Sequence, residues 1–208
     1  MKQHTSAMFA PTPPQALIER APAGINGEPF RRSSFGASLP SGVRRLMAAA
    51  QHGIAAAQNC LGEAFGNGIG VKRDDQAALL WIRKAAEQGY APAQNNLGFV
   101  HALGRGVDQD ELQAVAWFRK AAEQGHADAI YNLGAAHLNP RGRVRQDLVL
   151  AYMLFSLAAG TSSAAAAQCD RLQLRLNREQ LAEAQAMLRN WKPHDALPTR
   201  SKTGSVLA

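Results

Sequence analysis

Two cysteines in 208 residues are too few for a disulfide framework, and aromatic side chains at 6% are too few to build a core on large rings. Long apolar runs are missing as well. No stretch approaches the roughly 18 consecutive apolar residues of a membrane-crossing helix, so no span is expected. The opening Met1-Lys2-Gln3-His4 leads into no apolar run of the kind a secretory leader carries, which sets the expectation of a cytoplasmic protein. The usual catalytic signatures are absent: there is no Gly-x-Ser-x-Gly, no Gly-Lys-Ser/Thr phosphate loop, no His-Glu-x-x-His and no Cys-x-x-Cys. Blocks of one charge are absent too. The net charge is +7, but between residues 42 and 192 it arises from 17 basic and 13 acidic residues that are interspersed. That pattern lacks the concentrated arm of a nucleic-acid binder.

What is present is repetition. Trp81-Ile-Arg-Lys-Ala-Ala-Glu-Gln-Gly89 returns as Trp117-Phe-Arg-Lys-Ala-Ala-Glu-Gln-Gly125, an offset of 36 residues. Ala57, Leu61, Gly62, Gly70, Val71, Asp74 and Ala78 recur at the same offset as Ala93, Leu97, Gly98, Gly106, Val107, Asp110 and Ala114. A third copy keeps Ala129, Leu133, Gly134, Asp147, Ala151 and Phe155 but inserts one loop residue and drops the Glu-Gln pair. Self-similarity at this period marks a stacked array.

Each copy divides into two helices. Ala57, Cys60, Leu61, Ala64 and Phe65 follow the i, i+3, i+4, i+7, i+8 spacing of one apolar face, and so do Ala78, Trp81, Ile82, Ala85 and Ala86. A glycine-rich turn separates them, and Asp74 or Asp75 can accept from the free amides that open the second helix. Gly89 closes it. Gly62, Gly98 and Gly134 sit inside the first helix of each copy, where glycine costs about 1 kcal/mol relative to alanine. Three at one register point to close backbone approach.

Six prolines in residues 1–41 leave no apolar period, so that segment is expected to be disordered. The repeat domain is expected over 42–192: a lone second helix as N-terminal cap, repeats at 54–89, 90–125 and 126–160, and capping helices over 162–192. Ser162-Ser163 can start one of these, and Asn177-Arg-Glu-Gln180 reads as a capping box for the last. Lys192-Pro193 ends it, and residues 193–208 are expected to form a disordered tail.

The unit Ala-x-x-x-Leu-Gly, Gly-x-Gly-Val, Asp, Ala-x-x-Trp-x-x-Lys-Ala-Ala-Glu-Gln-Gly resembles the Sel-one-like repeat family, relatives of the tetratricopeptide repeat. The resemblance covers residues 43–160 and extends to Arg178–Trp191. One departure stands out: the family's aromatic after Leu-Gly-x-x is Phe65 in copy one but His101 and His137 in the next two. The resemblance implies an all-α, right-handed αα-hairpin solenoid of three full repeats with a half-repeat in front and capping helices behind. It further implies a non-enzymatic scaffold or adaptor that binds a protein or peptide and needs no cofactor. Matched to the tetratricopeptide pattern, one line of first-helix residues faces the concave side: Asn59 and Glu63, Asn95 and Phe99, Tyr131 and Ala135. Phe99 and Tyr131 would then form an aromatic pair beside two amides, the kind of anchor where binding energy concentrates. The competing reading keeps Phe99 as inter-repeat core.

Other candidates are weaker. Cysteine-rich relatives bind cell-wall fragments or β-lactams, but they carry a cysteine pair in each repeat, which this chain lacks. Cys60 and Cys169 occupy equivalent positions three repeats apart. Neighbouring helices lie about 8–10 Å apart and a disulfide needs Cα atoms within about 7 Å, so the two should not bond. His101 and His137 have no third ligand at their register, which argues for packing rather than metal. Arg83, Lys84 and Glu87, and Arg119, Lys120 and Glu123, read as solvated faces. Arg141, Arg143 and Arg145 form the sharpest basic cluster, but without interleaved aromatics they make a poor RNA site.

Overall fold

The computed structural model describes residues 39–198. Most of the expected N-terminal disordered segment, residues 1–38, and residues 199–208 of the expected tail lie outside the described residues. Among the described residues the protein is all α, with nine helices and no strand. They are α1 (Ser41–Gln51), α2 (Ala55–Asn67), α3 (Asp75–Glu87), α4 (Ala91–Leu103), α5 (Glu111–Glu123), α6 (Ala127–Leu138), α7 (Leu148–Ala158), α8 (Ser163–Gln173) and α9 (Arg178–Asn190).

The repeated aspartates set where the second helices begin. Asp74 accepts from the amides of Gln76 and Ala77, both at 3.0 Å, which settles the choice between Asp74 and Asp75. Asp110 does the same for Leu112 and Gln113, and Asp147 for Leu150. Each cap also donates its own amide to the first helix, to Phe65, His101 and His137 in turn, which fixes the hairpin bend. The capping box at Asn177 and Gln180 forms in both directions, and Ser162 caps α8.

Three hairpins result, α2–α3, α4–α5 and α6–α7, and each packs on the next through consecutive helices. The mid-helix glycines explain how tightly. A Cβ on Gly62 would lie 2.5 Å from Ile82 Cγ1, and one on Gly98 would lie 2.5 Å from the Phe118 ring. At Gly134 the Phe155 ring is 3.2 Å away. The first helix of every hairpin thus lets the bulky residue of the second press against its backbone. Burying such side chains contributes about 1.5–3 kcal/mol each.

Trp81 is buried, whereas Trp117 is only half-buried, and a lysine ammonium covers each indole (Lys84 at 4.7 Å, Lys120 at 4.0 Å). At the C-terminal end both α8 and α9 pack on α7, whose residues are apolar almost all round.

The chain does not leave the domain at Lys192. Residues 193–198 cross back onto α5 as a strap, so this part of the expected tail is folded. Leu197 is 3% exposed and belongs to the main core cluster. Its carbonyl accepts from Arg119 Nη1 at 3.1 Å, and its amide donates to Glu123 Oε1 at 3.0 Å. The His194 amide donates to the Glu123 carbonyl. Arg119 and Glu123 are therefore not a solvated pair. Burial lowers the pKa of Arg119, and the nearby Glu123 opposes that shift.

Candidate functional site

Of the six residues expected on the concave face, Asn59, Glu63 and Asn95 lie along the seam where first helices of neighbouring repeats meet. Asn59, Asn95 and Phe99 are buried, while Glu63, Tyr131 and Ala135 are partly exposed.

A ladder of side-chain amides accounts for this. Asn96 Nδ2 donates to Asn59 Oδ1 at 2.9 Å and to Glu63 Oε1 at 2.7 Å, and Asn59 Nδ2 donates to the same Glu63 oxygen at 2.9 Å. One repeat further on, Asn132 Nδ2 donates to Asn95 Oδ1 at 2.9 Å. Buried amides are stable only with partners of this kind.

Phe99 and Tyr131, expected as an aromatic pair, each meet the second-helix phenylalanine of their own hairpin edge-on at a centroid distance of 5.3 Å, Phe99 on Phe118 and Tyr131 on Phe155. Phe99 is inter-helix core, 8% exposed.

A second ladder was not anticipated from sequence. Buried Gln58 donates to the Ala50 carbonyl at 3.0 Å and accepts from Gln88 at 2.6 Å. Gln94 does the same with the Ala86 carbonyl at 3.3 Å and Gln124 at 2.7 Å. The signal lay in the sequence. Glutamine recurs at 58 and 94, each with a partner 30 residues on, and the third copy has Ile130 where it has also lost the Glu-Gln pair.

Nucleophiles and bases along the seam are quenched. Burial and the nearby Glu63 raise the Cys60 thiol pKa to about 11, so it is not a thiolate at neutral pH. Burial raises Cys169 too, and both cysteines are free. Burial also lowers the pKa of His101 and His137, which disfavours their charged forms; His137 Nδ1 lies 3.3 Å from the Arg145 carbonyl. Among the described residues no group of three or more His, Cys, Asp or Glu side chains is placed to hold a metal ion. The crevice that Glu63, Asn96, Phe99 and Leu103 line between the first two repeats measures about 30 Å³, room for a water rather than an organic ligand. Arg141 and Arg143 share their cleft with Asp110 and Glu111, so the basic loop faces carboxylates. No helix among the described residues is long and apolar enough to cross a membrane.

Stacked hairpins, amide-laddered seams and a capped far end define an αα-hairpin repeat scaffold. The Sel1 repeat model matches three times, at residues 55–90, 91–126 and 127–160, and the chain belongs to the Sel1 repeat family. Members of this family typically mediate protein interactions and are generally non-catalytic.

Two solved structures are similar. One is a protective antigen present in uropathogenic Escherichia coli strains and displaying an SLR fold (TM-score 0.63, 26% identity, covering 70% of this chain and 33% of the antigen). The other is a Sel1 repeat protein from Oxalobacter formigenes (TM-score 0.57, 35% identity, covering 62% of this chain and 53% of that one). The chain thus spans about a third and about half of the length of these relatives. Among curated proteins no sequence matches the chain.

Proposed function

We propose that this protein is a non-enzymatic scaffold that binds a protein or peptide on the first-helix face of its solenoid. The observation that supports it most is how the seam disposes of reactive groups. Burial disfavours the charged forms of Cys60, His101 and His137, and the buried asparagines pair with one another across the repeats. What remains partly exposed along that face is a carboxylate, a phenol and a small side chain, Glu63, Tyr131 and Ala135. Such a surface suits recognition rather than bond-breaking. Buried Asn59, Asn95 and Phe99 support it from beneath and do not touch the partner.

The deciding experiment is affinity capture from native lysate with the full chain, with and without nuclease. A partner should be recovered in both conditions. Tyr131→Ser with Glu63→Ala should abolish recovery while the helical circular-dichroism signal persists. Recovery that disappears with nuclease would point to RNA, and recovery that survives the double substitution would move the site off this face.

A further inference from the structure

The strap displays how this solenoid holds an extended chain. Arg119 donates to the carbonyl of Leu197, Glu123 accepts its amide, and the Glu123 carbonyl accepts the amide of His194. Pro193 lies over Gly125, 3.4 Å from where a Cβ would stand. Only Leu197 is sunk into the protein; residues 192–196 are exposed. The clamp therefore reads main-chain groups plus one apolar side chain. Prolines at 193 and 198 bracket the grip and bring no amide that would need a partner.

The repeated phrase writes the same clamp on α3. Arg83, Glu87 and Gly89 stand where α5 has Arg119, Glu123 and Gly125. No strap lies on them among the described residues: Arg83 and Glu87 are exposed, and a Cβ on Gly89 would meet nothing within 4 Å. Arg119, by contrast, has a side chain only 24% exposed. One turn before Arg83, on the same stripe of the helix, Leu80 is 48% exposed where α5 carries Ala116. An exposed leucine beside an open main-chain clamp is apolar surface that a bound segment would cover.

We propose that Leu80, Arg83, Glu87 and Gly89 form a second docking site on α3 for an extended partner segment of the strap's own chemistry, Pro-x-x-x-Leu-Pro. It runs from Gly89 toward Leu80, with the arginine on a carbonyl and the glutamate on an amide of the same residue. Main-chain pairing holds the segment and the single leucine selects it. The site lies on second-helix surface and is independent of the first-helix face assigned above.

The test is a fluorescent peptide reproducing residues 192–198, titrated into the full chain and followed by anisotropy. Saturable binding is expected, weakened about tenfold or more by Arg83→Ala or Glu87→Ala and lost when the peptide's leucine becomes serine. The Arg119→Ala protein, whose strap is loosened, should still bind. The proposal is overturned if the wild type fails to bind, if Arg83→Ala and Glu87→Ala both bind normally, or if only Arg119→Ala loses binding. In that last case the peptide has displaced the strap. Arg83-dependent self-association of the protein alone, read by sedimentation, would make a second copy the occupant and also overturn it.

Discussion

The first two repeats and the third hold themselves together differently. In repeats one and two the first-helix seam residues are polar: Gln58, Asn59, Gln94, Asn95 and Asn96 are all buried, and each finds an amide, carboxylate or carbonyl partner. In repeat three Asn132 keeps its amide and still donates to Asn95, but the other two corresponding positions lose theirs. Ile130 replaces the buried glutamine, Tyr131 the asparagine, and α7 reads Leu-Val-Leu-Ala-Tyr-Met-Leu-Phe with α8 and α9 both laid against it. The contrast separates two jobs. Directional hydrogen bonds admit one register and so align a hairpin that must stack in a defined way on a near-identical neighbour. A non-directional apolar face serves where the array stops and two dissimilar capping helices must be buried.

The largest break in that contrast is expected at the mid-helix glycines. Gly98→Ala forces a methyl against the Phe118 ring at 2.5 Å and should cost about 1–3 kcal/mol. Gly134→Ala meets Phe155 at 3.2 Å, and the gain of about 1 kcal/mol in helix propensity should offset most of the strain. Urea unfolding of the two variants side by side measures the difference; equal losses would show that both hairpins are packed alike.

Next in size is the glutamine pair. Gln94→Ala and Gln124→Ala should each destabilise, with a coupling of about 1 kcal/mol in the double-mutant cycle. Gln94→Ile made on top of Gln124→Ala imitates the third repeat and should recover part of the loss. Strict additivity would show that the 2.7 Å contact between them carries no stability.

The smallest effect expected is with pH. Burial depresses the folded pKa of His137, with Arg119 adding to that and the Arg145 carbonyl and Asp147 opposing it. The unfolded imidazole, near 6.5, takes up protons first on acidification. Stability is therefore full above that value and lost as pH falls from it toward the folded pKa. His137→Phe, which restores the residue type at position 65, should flatten thermal stability between about pH 7 and 5 relative to wild type. An unchanged slope would assign the loss to His101 and His126, whose pKa values burial also lowers.

The hairpins, their caps and their glycine contacts were legible because a 36-residue repeat states each rule three times. The face of the first helix was not. Adjacent helix positions differ by about 100° in direction, so whether residue 59 or residue 60 meets the next repeat depends on how the hairpins stack. Periodicity within one helix does not encode that. Asn59 and Asn95 therefore looked outward by pattern yet lie inside an interface. The strap escaped for another reason. Helical spacing detects helices, while Pro193–Pro198 is held through main-chain groups and one leucine, which leave no period to read.

That strap also sets an order of events. The ladders close loops of 30 to 37 residues, so each hairpin completes from chain close at hand. The links from Arg119 and Glu123 to Leu197 span 78 and 74 residues, at least twice that separation. During synthesis α5 is finished and flanked long before its covering segment exists. The same helix face is exposed while the chain grows and is covered only once the last part of the described domain has been made.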